Sequence, residues 1–482
     1  SYELTWSNAP FISGYEFFQL PDEMDKKSVT MTAPAGLEIH HLASGPAGRV
    51  VEKTVNENGK QVFNWTADHS PALPAEPQLP PEWVFDSGIA YFAGDMRAYL
   101  KELNDTMLER SGERSKAAAL AADLTGKTHS KTDAVKAIRD YVAKTIRFAG
   151  PSFMDLPMRE LSAADTTLAD GYGHAADRAI LLHAMLSAAG FQPEFVMASG
   201  LPPIAEITNI ALSFPLPRVF DYPLVRVEAD GMTLYLNDTD QYAKPGTTSF
   251  DDHVALALST QTFFVVHAAK DCDDRVETDY ALVPGDSGAT RIQVTRHFYG
   301  MEYNGRNRYF SELPPEERRR HFQEMLTELA QGAKAVGDLT TRFDVYPGIE
   351  QFTADIDKYN VLDGNFFYFD LPFRPSLFPL GADQRSLPLF IAHGGRHIVH
   401  TEIELPASFR HVVIAPGAEK LEGPDGCGTA AIEETDNGRK LSITHEFRIA
   451  PAIVPPSHYA ALMKVESALG KEGNRVLLLE KD

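Results

Sequence analysis

The chain has 482 residues, 43% of them hydrophobic and 23% charged, and its 45 Lys and Arg face 67 Asp and Glu for a net charge of −22. That length allows about two to four domains, and the acidic balance excludes nucleic acid and anionic membrane surfaces, which both need clustered cations. Two cysteines, Cys272 and Cys427, exclude a disulfide framework, a four-thiolate zinc centre and an iron–sulfur cluster, and leave open one long-range bridge or two free thiols.

The opening Ser1-Tyr2-Glu3-Leu4-Thr5-Trp6 reads as a strand and not as a signal peptide, which fits a processed or shortened chain. Up to about residue 70 the pattern is β. Ser28–Thr32, Leu37–His41 and Gln61–Trp65 are strand-like, and Asn56-Glu57-Asn58-Gly59 is a hairpin signal. Proline then recurs from Pro71 to Pro81, which favours an extended linker. From Phe92 to Phe148 the period is helical. Ser130-x-x-Asp133 resembles a capping box ahead of Val135, Ile138, Val142 and Ile146. A long apolar helix is predicted from about Gly173 to Ala189, ended by Gly190. Its most apolar part, Ala179 to Ala189, is too short to span a bilayer.

Strands are predicted at Glu194–Ala198, Leu224–Glu228 and Thr233–Leu236, with Asp230-Gly231 as the turn between the last two. Beyond about residue 250 the chain is mostly β, with strands at Phe263–His267, Thr290–Phe298, Phe366–Asp370, Ile398–Glu404 and Leu441–Phe447. One helix, Ser311 to Gly332, intrudes.

Three segments carry a resemblance. Thr167-Leu168-Ala169-Asp170-Gly171-Tyr172-Gly173-His174-Ala175-Ala176-Asp177-Arg178-Ala179 is similar to the nucleophile segment G-Y-G-D-C…K-D-K-A of the transglutaminase-like superfamily. Phe220-Asp221-Tyr222-Pro223-Leu224-Val225-Arg226-Val227-Glu228-Ala229-Asp230-Gly231 resembles the family's F-N-H-V-I-V-R-V-E-x-D-G. Leu236-Asn237-Asp238-Thr239-Asp240-Gln241-Tyr242 resembles its L-D-P-T-D-x-Y. The resemblance implies an α+β fold. A papain/transglutaminase-like core at 89–249 would be flanked by antiparallel β domains at 1–88 and 250–482, the first lacking its opening strands.

In that family a Cys at a helix N-terminus attacks an amide, a His moves the proton and an Asp orients the His. These roles fall here on Ala175, Tyr222 and Asn237. Alanine has no nucleophilic atom, tyrosine titrates near 10, and asparagine is neutral. The resemblance therefore implies a degenerate member that binds a peptide, cell-wall fragment or glycan in the former cleft, through His174, Asp221, Tyr222 and Asn237. It also implies export to the periplasm or cell exterior, where an envelope protein is an alternative partner. The rival expectation is a hydrolase that uses the carboxylates of Asp177, Asp221 or Asp238. Asp177 also suits a purely structural role in the first helical turn, and Asp238 a polar turn.

No cofactor or metal is expected. The run His393-Gly394-Gly395-Arg396-His397-Ile398-Val399-His400 lacks the helix a two-histidine zinc motif needs. Gly417 and Gly423-Pro424-Asp425-Gly426-Cys427-Gly428 are turn chemistry. Cys272 lies among acids, which disfavour its thiolate.

Overall fold

The computed structural model describes residues 12–45, 50–285, 288–372, 384–405, 408–415, 420–423, 426–435, 439–469 and 475–481. The expected strand at Ser1–Trp6, the Gly417 turn and the Cys427 side chain lie outside the described residues. The chain divides into two compact units. One comprises Ser1–Gln241, Pro245–Ala269 and Arg385–Phe390, and the other Tyr242–Lys244, Lys270–Gln384 and Ile391–Asp482.

The first unit is α+β. Strands Met24–Pro34, Lys60–Ser70 and Val51–Glu57 form one antiparallel sheet. Gly88–Ala93 runs between Ile12–Phe17 and Ile39–Ser44 in another. The helical region therefore begins after Phe92 and not at it: Phe92 lies buried in a strand. Asp95 caps the first long helix, Met96–Gly112, by accepting from the backbone N–H groups of Arg97 and Ala98 at 2.9 and 3.3 Å. Ser130 caps Lys131–Thr145 at 3.0 Å from the Asp133 N–H, and Val135, Ile138 and Val142 are buried as the spacing predicts.

The helix Ala175–Ala188 is the centre of this unit. Ala176, Ala179, Ile180, Leu181, Leu182, Ala184, Met185 and Leu186 are all buried. A helix apolar on every side has to be enclosed. Helices Met96–Gly112, Ser115–Thr125, Lys131–Thr145 and Ala164–Asp170 pack around it, with the strand Tyr222–Ala229. Each large side chain buried there stabilises the fold by about 1.5–3 kcal/mol.

Beside this core helix lies an antiparallel five-stranded sheet. Its order is Met232–Leu236, Tyr222–Ala229, Glu194–Ala198, Val254–Ala257, Thr262–Val265. Asp230 and Gly231 both take positive φ, 48° and 77°, the conformation of a two-residue hairpin. Asp230 also accepts from Thr132 N–H and Oγ1 at 2.7 and 2.8 Å, which ties the hairpin to the start of Lys131–Thr145.

The second unit is mostly β. A nine-stranded sheet and a four-stranded sheet carry most of its described strands. Pairing is antiparallel except between Arg275–Pro284 and Gly395–Glu404, which run parallel. Three helices occur where one was expected. Gly300–Glu312 and Pro315–Leu329 are separate, and Pro456–Leu469 follows later. The predicted helix began four residues early because Pro314 and Pro315 divide two helices. Gly300–Glu312 is polar, with two glycines and two asparagines, so its sequence has no apolar face to read. The Asp274 carboxylate accepts from the N–H of Met301 at 2.6 Å near its start.

Candidate functional site

The site begins at the N-terminus of the core helix. Gly171 closes the short helix Ala164–Asp170 with φ 70°. Tyr172–Gly173 then pairs parallel with Arg147–Phe148. This pairing delivers His174 to the N-cap of Ala175–Ala188. His174 Nδ1 accepts from the Asp177 N–H at 3.3 Å, and Asp177 Oδ2 accepts from the His174 N–H at 3.3 Å. The two residues form a reciprocal capping box. Asp177 Oδ1 accepts from the Ser162 N–H at 2.8 Å.

Burial pushes the His174 pKa down, against the opposing pull of Asp177. Since Nδ1 accepts, the proton sits on Nε2. That nitrogen is buried and lies 3.3 Å from Asp177 Oδ2.

Ala175 follows as the first helical residue, half-buried. Asn237, at the end of Met232–Leu236, reaches it. Its Nδ2 donates to the Ala175 carbonyl at 2.9 Å and to the Pro223 carbonyl at 2.8 Å. Asn237 takes φ 94°, a region where asparagine is better tolerated than most residues. Both amide hydrogens are used, so the side chain clamps the helix start to the sheet.

Tyr222 precedes Pro223 and is 49% exposed. Its ring lies 5.1 Å from that of Phe250. It also covers Gly200, where a Cβ would sit 2.7 Å from Tyr222 Cε2, so glycine leaves the room the ring occupies. Phe250 in turn meets His253 edge-on at 5.6 Å. His253 Nδ1 is 2.9 Å from the Ser199 carbonyl, and burial lowers its pKa. Gly200, Phe250 and His253 belong to no motif, so the sequence offered no signal for them.

The carboxylates separate by role. Asp238 Oδ2 accepts from Thr248 Oγ1 at 2.6 Å, the Ser249 N–H at 2.9 Å and Ser249 Oγ at 3.3 Å, and so holds a turn. Burial raises its pKa. Asp221 is half-buried and its pKa is also raised by burial, with Arg218 opposing. Arg218 itself pairs with Asp155 at 2.8 Å. The structure thus brings His174, Ala175, Asp177 and Asn237 together, packs Tyr222 against Phe250 and Gly200, and turns Asp238 toward Thr248.

Residues 118–211 match the family model described as Transglutaminase-like superfamily. This segment belongs to that superfamily. The transglutaminase-like match contains the core helix and ends before Tyr222 and Asn237. A crystal structure of "a putative protease" from Parabacteroides distasonis aligns over 99% of this chain and 76% of its own, with TM-score 0.61 and 15% identity, so the two share a fold. A second, of "a putative cysteine protease" from Cytophaga hutchinsonii, covers 47% of this chain and 73% of its own, with TM-score 0.21 and 13% identity. No curated protein matches the chain.

Among the described residues one group could approach a cation: Asp251, Asp252 and His267, whose donor atoms lie within 4.8 Å of one another. His267 Nδ1 is already 3.2 Å from Asp252 Oδ1. His400 Nδ1, from the histidine run, lies 3.0 Å from Thr444 Oγ1. Cys272 is buried and free, with its pKa raised chiefly by burial. No helix among the described residues is long and apolar enough to cross a membrane.

Proposed function

We propose that the cleft at the start of the core helix binds a peptide, cell-wall fragment or glycan without cysteine chemistry. The observation that carries this reading is the Asn237 amide. Both of its hydrogens are engaged by backbone carbonyls, so it has no donor left for a base. It also has no carboxylate with which to orient an imidazolium. Ala175 presents only a methyl group where the transglutaminase-like nucleophile would stand. Tyr222, half-exposed beside this point, offers an aromatic face with a polar tip, a common way to hold a ligand.

The same reading divides the chain into a β domain (1–88), the core (89–249) and a second β domain (250–482). It carries with it an exported protein, periplasmic or extracellular, with an envelope protein as the alternative partner. Calorimetry with peptide and glycan probes, on the native chain and Tyr222→Ala, tests it. Binding lost in the variant without any hydrolysis supports the reading. Amide turnover that depends on Ala175, Tyr222 or Asn237 would overturn it.

Asp221 favours a second reading, a glycoside or amide hydrolase using cleft carboxylates. Its raised pKa suits a general acid. Asp177 and Asp238 have oxygens committed to backbone N–H groups. A hydrolytic activity lost in Asp221→Asn would select this alternative.

A further inference from the structure

A cavity of about 520 Å³ lies in the first unit, lined in part by neighbours of the site's residues. Met96, Tyr99, Met154, Met197, Phe220 and Phe263 are among its walls. Three chain segments connect it to Ala175 and Asn237. Met197 is the register partner of Pro223, whose carbonyl accepts from Asn237. Phe220 stands two residues before Tyr222. Met154 follows Phe153, whose ring is 6.4 Å from that of His174.

The wall is mostly apolar; its polar part is Arg97, Thr260, Gln261 and Thr262, and the two threonine hydroxyls lie 2.7 Å apart. Three thioethers adapt to irregular shapes. The one phenol, Tyr99, directs its hydroxyl to the Met154 sulfur at 3.6 Å. No carboxylate lines the space, and Gln261 already donates to the Arg97 carbonyl at 3.0 Å. A sugar would leave most of its hydroxyls unpaired here, at a cost. A hydrocarbon side chain would gain from leaving water. The size falls in the range of about 300–1,000 Å³ usual for ligand pockets.

We infer that this cavity is a side-chain subsite for a bulky apolar residue of a peptide whose backbone crosses the site at Ala175. The inference rests on the binding reading above and narrows its ligand to a peptide.

The test uses the full chain and blocked Gly/Ser hexapeptides in which one Phe is moved through every position. The all-Gly/Ser parent and a chitin tetrasaccharide serve as comparison probes. Phe at one position should tighten binding about 10- to 100-fold over the parent, the usual gain for a fully buried aromatic. Met96→Trp and Thr262→Trp, at half-buried and exposed parts of the wall, should each collapse that ratio toward one by occupying the space. A ratio that persists in both variants, or no position at which Phe helps, overturns the subsite. If peptides bind and Tyr222→Ala abolishes binding while Phe confers no gain, the subsite fails and the binding reading stands. If no peptide binds but the tetrasaccharide does, the subsite fails and the binding reading stands; if neither binds, both fail.

Discussion

Asn237 Nδ2 lies 2.9 Å from the Ala175 carbonyl and 2.8 Å from that of Pro223. Two acceptors converge on one side chain, so that side chain must be a donor. An aspartate there would aim a carboxylate at two carbonyl oxygens. Asn237→Asp should therefore lower the stability of the first unit by about 2–3 kcal/mol at pH 7, the usual penalty for unpaired buried polar groups. Acid should restore part of the loss, because a protonated Asp can donate one bond. Urea unfolding followed by the fluorescence of Trp65 and Trp83, both in this unit, measures it. A variant as stable as the native chain at pH 7 would show that the clamp is unimportant.

His183 gives a pH prediction. Its ring stacks on Phe195 at 4.3 Å inside the core, and burial pushes its pKa down to about 4. The unfolded ring titrates near 6.5. Between these values the unfolded state binds the proton and the folded state does not. The neutral ring is therefore favourable above pH 6.5, and its contribution is lost as pH falls toward 4, by about 2–3 kcal/mol. The raised pKa values of Asp221 and Asp238 act with the opposite sign, since their folded forms bind protons more readily. The difference between the native chain and His183→Leu isolates the histidine. It should shrink from pH 7 to pH 4.5, and a pH-independent difference would contradict the assignment.

The core helix, its end at Gly190, the Asp230-Gly231 hairpin and the strand Glu194–Ala198 were all legible in sequence. Each rests on local chemistry: apolar periodicity, a C-cap, a positive-φ pair. The three ordered motifs pointed to Ala175, Tyr222 and Asn237; in the structure Asn237 bonds the carbonyls of Ala175 and of Pro223, the neighbour of Tyr222. What the sequence could not supply was long-range packing. Gly200 makes room for Tyr222 from the loop after Glu194–Ala198, and His253, just before Val254–Ala257, reaches the Ser199 carbonyl. The polar helix Gly300–Glu312 was missed because its hold on Asp274 is tertiary and not periodic. Asp177 and Asp238, for which structural roles were also expected, sit in a cap and a turn; the backbone N–H groups of Ser162 and Ser249 that hold them come from elsewhere in the chain.

The second unit holds a buried ion pair whose removal should be costly. Glu350 is fully buried and lies 3.1 Å from Arg296, with His321 at 3.8 Å. Arg296→Met should leave the carboxylate without its main partner and cost about 3–5 kcal/mol. Arg296→Met with Glu350→Leu should recover most of that loss, because no charge remains buried. Thermal unfolding of the single and double variants decides. Equal losses in both would mean that packing, and not charge, sets the penalty.

Ala175→Cys should give a thiol and no enzyme. The helix N-terminus would favour its thiolate, so labelling by a thiol reagent should be faster than at buried Cys272, whose pKa is raised. Turnover still needs a proton carrier. The ring of Tyr222 packs toward Phe250 and Gly200, and Asn237 spends both donors on carbonyls. Loss of members from a catalytic triad lowers rates by factors on the order of 10⁴–10⁶. Peptide hydrolysis and amine transfer by Ala175→Cys should therefore stay at the background of the native chain. Robust turnover by this single variant would mean that another residue near the cleft serves as the base, with His174, buried beside Asp177, the first to substitute.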